Sequence, residues 1–157
     1  MYFNFRLMRK LIFIFSLLLI GFTSKSNAQL EKPVSWSYSA RKLDKLNAIV
    51  YLKASIDEGW HIYAQNGKSG GPTPTKFSFN KNKDYVLLGK AMEPKPMIKF
   101  EKVYGFNVSY FEKEVVFQQK IKLNLKQTMI KGKVEFMVCN NHQCLPPDEV
   151  NFSVPVK

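Results

Sequence analysis

Apolar residues recur at every second position over long stretches of this chain, and that period constrains its fold more than any other feature. Leu46, Ala48, Val50, Leu52, Ala54 and Ile56 alternate with more polar neighbours, and so do Val115, Phe117, Gln119, Ile121, Leu123 and Leu125. The same phase returns in Val134, Phe136 and Val138, and in Val150, Phe152, Val154 and Val156. Successive side chains of a strand point to opposite faces, so this pattern describes strands with one face buried. Shorter candidates lie at 34–39, 60–64, 76–79, 85–88 and 106–111. Turn signals separate them at Asp57-Glu58-Gly59, at 67–74, at Pro94-Lys95-Pro96, at Lys131-Gly132 and at Pro146-Pro147. No window carries a helical stripe longer than about a turn. About nine short strands at this spacing predict an all-β chain, an antiparallel two-sheet sandwich in a single domain.

The first 28 residues read as an export address. Arg6, Arg9 and Lys10 give a positive start, 11–22 is an apolar run of 12, and Ser26-Asn27-Ala28 supplies small residues for cleavage. A membrane-spanning helix needs roughly 20 apolar residues, so a cleaved signal peptide over 1–28 is expected and a retained anchor is not. No cysteine follows the run, which excludes a lipoprotein signal. The mature chain would begin at Gln29, in the periplasm, with no stable membrane insertion. The stretch 29–157 keeps 129 of the 157 residues, enough to bury a core without cross-links. Losing four basic residues takes the net charge from +12 to about +8. The remaining lysines are scattered rather than clustered, which argues against a nucleic-acid partner and for a solvated surface or a preference for acidic proteins.

Cys139 and Cys144 are the only cysteines. If Val134, Phe136 and Val138 face the core, Cys139 faces away from it and is expected to be accessible. Asn140-Asn141-His142-Gln143 between them are polar turn formers, so a hairpin would set the two cysteines opposite each other at a separation that suits a disulfide. Three chemistries remain open. A staple closing so small a ring contributes only about 2 kcal/mol. A redox dithiol needs accessible sulfurs and a tuning group, for which His142 is the nearby candidate. Zinc needs four ligands where only Cys139, Cys144 and His142 are near, with His61 elsewhere, so no metal and no cofactor is expected.

The segment Cys139 to Pro147, two cysteines followed by Leu145-Pro146-Pro147, resembles the active-site stretch of the N-terminal periplasmic domain of the DsbD thiol:disulfide interchange family, whose stand-alone versions are disulfide bond corrector proteins. Gly59-Trp60-His61-Ile62-Tyr63 is similar to that family's aromatic strand, and Glu101-Lys102-Val103-Tyr104-Gly105 to its cap loop, in the same order. The resemblance implies an immunoglobulin-like sandwich and a redox pair, Cys139 and Cys144, with Cys139 the first site of attack. It implies a thioredoxin-like or membrane reductase as donor in trans, oxidised periplasmic proteins as clients, and a monomer. Val103 would take the shielding position of the cap, where the family often has phenylalanine, with Tyr104 or Phe106 able to share that task. His61 stands where tyrosine is usual, and His61, Tyr63 and Glu101 would line the site. The cysteine spacing is one residue shorter than in the best-known members. The alternative is a non-catalytic binding domain whose disulfide only pins a hairpin.

Overall fold

The long alternating stretches become the strands that carry the core. The computed structural model describes residues 31–157, and the signal-peptide reading falls outside them. Residues Lys32–Lys157 form one compact unit. The strands are β1 (Val34–Lys42), β2 (Asn47–Ile56), β3 (His61–Tyr63), β4 (Lys76–Phe79), β5 (Tyr85–Leu87), β6 (Met97–Glu101), β7 (Phe106–Glu112), β8 (Glu114–Leu123), β9 (Thr128–Phe136), β10 (Val138–Cys139) and β11 (Asp148–Val156). All the pairings are antiparallel, in three sheets ordered β1-β2-β8-β5, β10-β3-β7-β6 and β11-β9-β4. No helix occurs among the described residues.

The alternation places Val50, Leu52, Ala54, Phe117, Ile121, Ile130, Val134, Val154 and Val156 in one core cluster. Phe117, fully buried, is its aromatic centre: its ring lies 4.9 Å from that of Phe77, 5.8 Å from Phe111 and 6.1 Å from Trp36. Gln119 shares the buried phase of β8 and is satisfied locally, its Nε2 donating to the carbonyls of Gly89 and Lys120. Leu46 and Leu125, which extend the alternation on paper, fall outside β2 and β8 and are exposed.

Two readings of the sequence need correction. Lys131-Gly132 is not a turn but the middle of β9. A Cβ on Gly132 would stand 2.4 Å from the Ser78 carbonyl oxygen and 2.6 Å from the Phe152 ring, so glycine is there for close packing across the sheet. The strand candidates also omit the stretch after Pro94-Lys95-Pro96, where Met97–Glu101 forms the edge strand β6, antiparallel to β7. Proline is tolerated just before an edge strand because no ladder hydrogen bond is lost.

The sheet β10-β3-β7-β6 positions the site. Its inner face contributes Ile62, Phe111 and Val138 to the main core. The next residues along the same strands, Tyr63, Tyr110 and Cys139, point to the outer face and gather there in a second, smaller cluster.

Candidate functional site

The site grows from a short hairpin. β9 ends at Phe136 and β10 restarts at Val138, after which the chain reverses through Asn140–Gln143. The Asn140 carboxamide oxygen accepts from the backbone N–H groups of His142 and Gln143 at 2.8 Å each, and the Asn140 N–H donates to the Gln143 carbonyl at 2.9 Å. This side-chain turn is the conformation that asparagine favours. It sets Cys144 antiparallel to Cys139, with Cα atoms 4.0 Å apart and a disulfide between them.

The two halves of the disulfide differ sharply in environment. Cys139 is only 1% exposed, in contact with Tyr63 and Val108, and Tyr104, Phe106, Tyr110 and Met137 pack on the same cluster. Cys144 is exposed. Strand phase thus puts Cys139 away from the main core, but the expectation that it would be accessible is overturned. The outer face of this sheet carries its own aromatic cover, and alternation describes which face a residue takes without describing what lies over that face. The placing of first attack at Cys139 meets the same obstacle, because its sulfur is the sheltered one.

The cover comes from the β6–β7 hairpin. Its tip, Lys102–Gly105, closes with the Tyr104 and Gly105 N–H groups both donating to the Glu101 carbonyl, and Gly105 has a φ of 71°, a region glycine enters without penalty. That turn sends Val103 outward, 87% exposed, and Tyr104 inward. Val103 therefore projects into solvent, and the tip residue that packs on the Cys139 cluster is Tyr104, its ring 6.0 Å from that of Phe106. Phe106 is held in turn by Lys68, whose ammonium lies 5.2 Å from the ring centre, and by Gly71, where a Cβ would come within 2.9 Å of the ring.

His61, Tyr63 and Glu101 all reach this face. His61 stands directly opposite Cys139 in the β3–β10 register and is buried. Its Nε2 lies 3.3 Å from the Tyr63 hydroxyl and 3.3 Å from the Lys99 ammonium. Burial first, then the Lys99 charge, pushes its pKa down to about 4, so the ring is neutral at ordinary pH. Burial also raises the Tyr63 phenol, with Tyr104 and Glu101 adding to the shift. Lys99 pairs with Glu101 at 2.7 Å and sits 5.0 Å over the Tyr110 ring. Sequence reasoning missed Lys99 because it missed β6; the signal was present in Met97-Ile98-Lys99-Phe100-Glu101, where Lys99 and Glu101 share one phase. His142 stays exposed in the turn, away from the buried cluster. Among the described residues no group of three or more His, Cys, Asp or Glu side chains is placed to hold a metal.

Comparison with known proteins matches the chain over residues 27–155 to the family described as thiol:disulfide interchange protein DsbD, N-terminal. Among solved structures, the chain is similar to one of the complex between the DsbD N-terminal and PilB N-terminal domains of Neisseria meningitidis, with a TM-score of 0.54 and 16% identity over 81% of this chain and 88% of that one. It is also similar to the N-terminal periplasmic domain of ScsB from Proteus mirabilis, with a TM-score of 0.52 and 18% identity over 81% of this chain. In that case it spans about half of the relative's length, 49%. These likenesses show a shared immunoglobulin-like sandwich. No curated protein matches the sequence.

Proposed function

This chain belongs to the family of DsbD N-terminal domains, and from that premise we propose that it is a periplasmic thiol:disulfide exchange module whose Cys139–Cys144 pair relays electrons. The donor would be a thioredoxin-like or membrane reductase acting in trans, and the acceptors oxidised periplasmic proteins. The observation that carries the reading is the asymmetry of the disulfide, with the Cys144 side exposed and Cys139 buried under an aromatic cap. Exchange proceeds by thiolate attack on an accessible sulfur.

In the reducing step a donor thiolate attacks the Cys144 Sγ, the disulfide breaks, and the electron pair departs with the Cys139 Sγ. The donor's second thiol then attacks the donor sulfur of the mixed disulfide and releases Cys144, leaving the donor oxidised. Toward a client the order reverses: the Cys144 thiolate opens the client disulfide, and Cys139 resolves the adduct by re-forming its bond to Cys144. Two electrons pass at each stage. Tyr104 and Phe106 keep Cys139 from stray oxidants and yield when a partner docks.

Trapping in cell-envelope extract tests this. Cys139→Ser should accumulate mixed disulfides through Cys144, and Cys144→Ser should accumulate few. The opposite pattern would return first attack to Cys139. No adduct from either variant, together with a disulfide that stays oxidised below about −300 mV in glutathione buffers, would leave only the binding domain with a pinned hairpin.

A further inference from the structure

When an incoming thiol takes Cys144, the departing electron pair remains on Cys139, whose surroundings exclude water. A thiolate in apolar surroundings is costly unless a proton, a donor or a cation meets it. The residue facing Cys139 across the strand pair is His61, and side chains directly opposite in an antiparallel pair have Cβ atoms about 4.5–5.5 Å apart. The Nε2 of that ring lies 3.3 Å from the Lys99 ammonium. An ammonium has three donors and no acceptor, so this contact needs the lone pair on His61 Nε2 and leaves the ring proton on Nδ1. Lys99 is itself held from two further sides, by the Glu101 carboxylate and the Tyr110 ring, with 28% of its side chain reaching solvent.

We propose that Lys99 and His61 form the path by which a proton reaches Cys139 when the disulfide opens and leaves it when the disulfide closes. The idea rests on the exchange reading and deepens it. As the sulfur–sulfur bond breaks toward Cys139, the His61 Nδ1–H passes to that sulfur, Nε2 takes a proton from the Lys99 ammonium, and the Lys99 amine is reprotonated by water. When Cys139 attacks to re-form the bond, each transfer runs backwards and Lys99 returns the proton to water. The electrons come only from the donor thiols, so His61 and Lys99 end each cycle unchanged. Lys99 acts through His61 and is a positioning residue. The other titratable groups on this face are Tyr63, Glu101, Tyr104 and Tyr110, with Glu112 opposite His61 in the β3–β7 register. Glu101 is the carboxylate bonded to Lys99, and it holds the ammonium in place.

The test is the rate at which dithiothreitol reduces the disulfide of the full chain between pH 6 and 9, corrected for the reagent's own thiolate fraction. In Lys99→Met and in His61→Phe the corrected rate at pH 7 should fall about tenfold, and the gap should narrow toward pH 9, where the departing sulfur can remain a thiolate and needs no proton. Lys99→Arg keeps the positive charge but cannot release a proton, so its rate should stay as low as that of Lys99→Met; a rate restored by arginine would mean that the charge alone matters and would overturn the proton path. A second measurement, the rate at which the lone Cys139 of Cys144→Ser regains its proton after a rapid drop in pH, followed by thiolate absorbance, should fall roughly tenfold when Lys99→Met is added. Lys99 sits on an exposed edge strand, so Lys99→Met keeps the fold even where His61→Phe does not. A corrected reduction rate and a Cys139 reprotonation rate both unchanged in Lys99→Met would overturn the proposal. A disulfide that fails to equilibrate with glutathione would overturn the exchange reading instead, and the Cys139 reprotonation rate would still decide the role of Lys99.

Discussion

The two faces of the β10-β3-β7-β6 sheet are built from neighbouring residues of the same strands, yet they do different work. Among the described residues, Ile62, Phe111 and Val138 join a main core of 20 buried residues, while the outer cluster has three buried apolar members, Tyr63, Val108 and Cys139. The first is closed on every side by strands. The second is closed on its open side by side chains from a hairpin tip, Tyr104 and Phe106. Stability scales with the apolar area removed from water, so it resides in the main core. Chemistry needs a sulfur that can be uncovered at low cost, and the outer cluster offers one. A protein that buried Cys139 in the main core would have to unfold to react.

The largest effect that tests this division is on the main core. Phe117→Ala should cost about 3–5 kcal/mol in denaturant unfolding, because it empties the centre shared by Trp36, Phe77 and Phe111. Tyr104→Ala, an aromatic truncation in the cap, should cost far less. Equal costs for the two would collapse the distinction between the faces.

Next comes pH. His61 is held neutral in the folded state at a pKa of about 4 against 6.5 for an ordinary histidine. The unfolded chain therefore binds more protons between those values, and stability falls as pH drops from about 6.5 to 4. The loss assigned to His61 is at most about 3 kcal/mol. It should appear as a gentler acid slope in His61→Phe than in the wild type, read from unfolding midpoints. Parallel slopes would mean that the outer cluster admits water freely and does not hold the histidine dry.

The disulfide should matter less for stability than for function. The ring it closes spans a sequence separation of 5, and chain entropy gives such a ring about 2 kcal/mol. Replacing both cysteines by alanine should lower stability by that amount or less and abolish exchange entirely. A loss near 5 kcal/mol would make the bond a structural support of the outer face.

Much of the sandwich was legible because a period of two is a direct imprint of strand geometry: the alternation of Leu52, Ala54 and Ile56 and of Phe117, Gln119 and Ile121 runs along β2 and β8 as expected. Gly132 misled because a glycine that relieves crowding across a sheet is written identically to one that makes a turn. β6 was hidden behind Pro94 and Pro96. At the site, the motif residues marked the cysteine pair and the loop beside it, but local sequence cannot report which side chain of a four-residue tip folds inward. That choice is set by the Gly105 turn, which turns Tyr104 in and Val103 out. The half-buried ammonium partner of His61 lay 38 residues away in sequence, a distance no local pattern spans.

The smallest expected effect on stability is also the sharpest probe of the outer face. Tyr104→Ala removes a side chain that packs on the cluster around Cys139 from one side only, so its unfolding cost should stay near 1 kcal/mol, in the range of partly exposed substitutions. The access it opens should be larger in proportion: alkylation of Cys139 in the Cys144→Ser background should speed up several-fold. Val103→Ala should change neither quantity, since Val103 projects into solvent. Gly71→Ala presses on the Phe106 ring from below and should fall between the two, shifting the cover without deleting it. If alkylation followed global unfolding instead, ranking these variants by their stability alone, then Cys139 would be reached only through opening of the whole sandwich and the outer cluster would not be a separate lid.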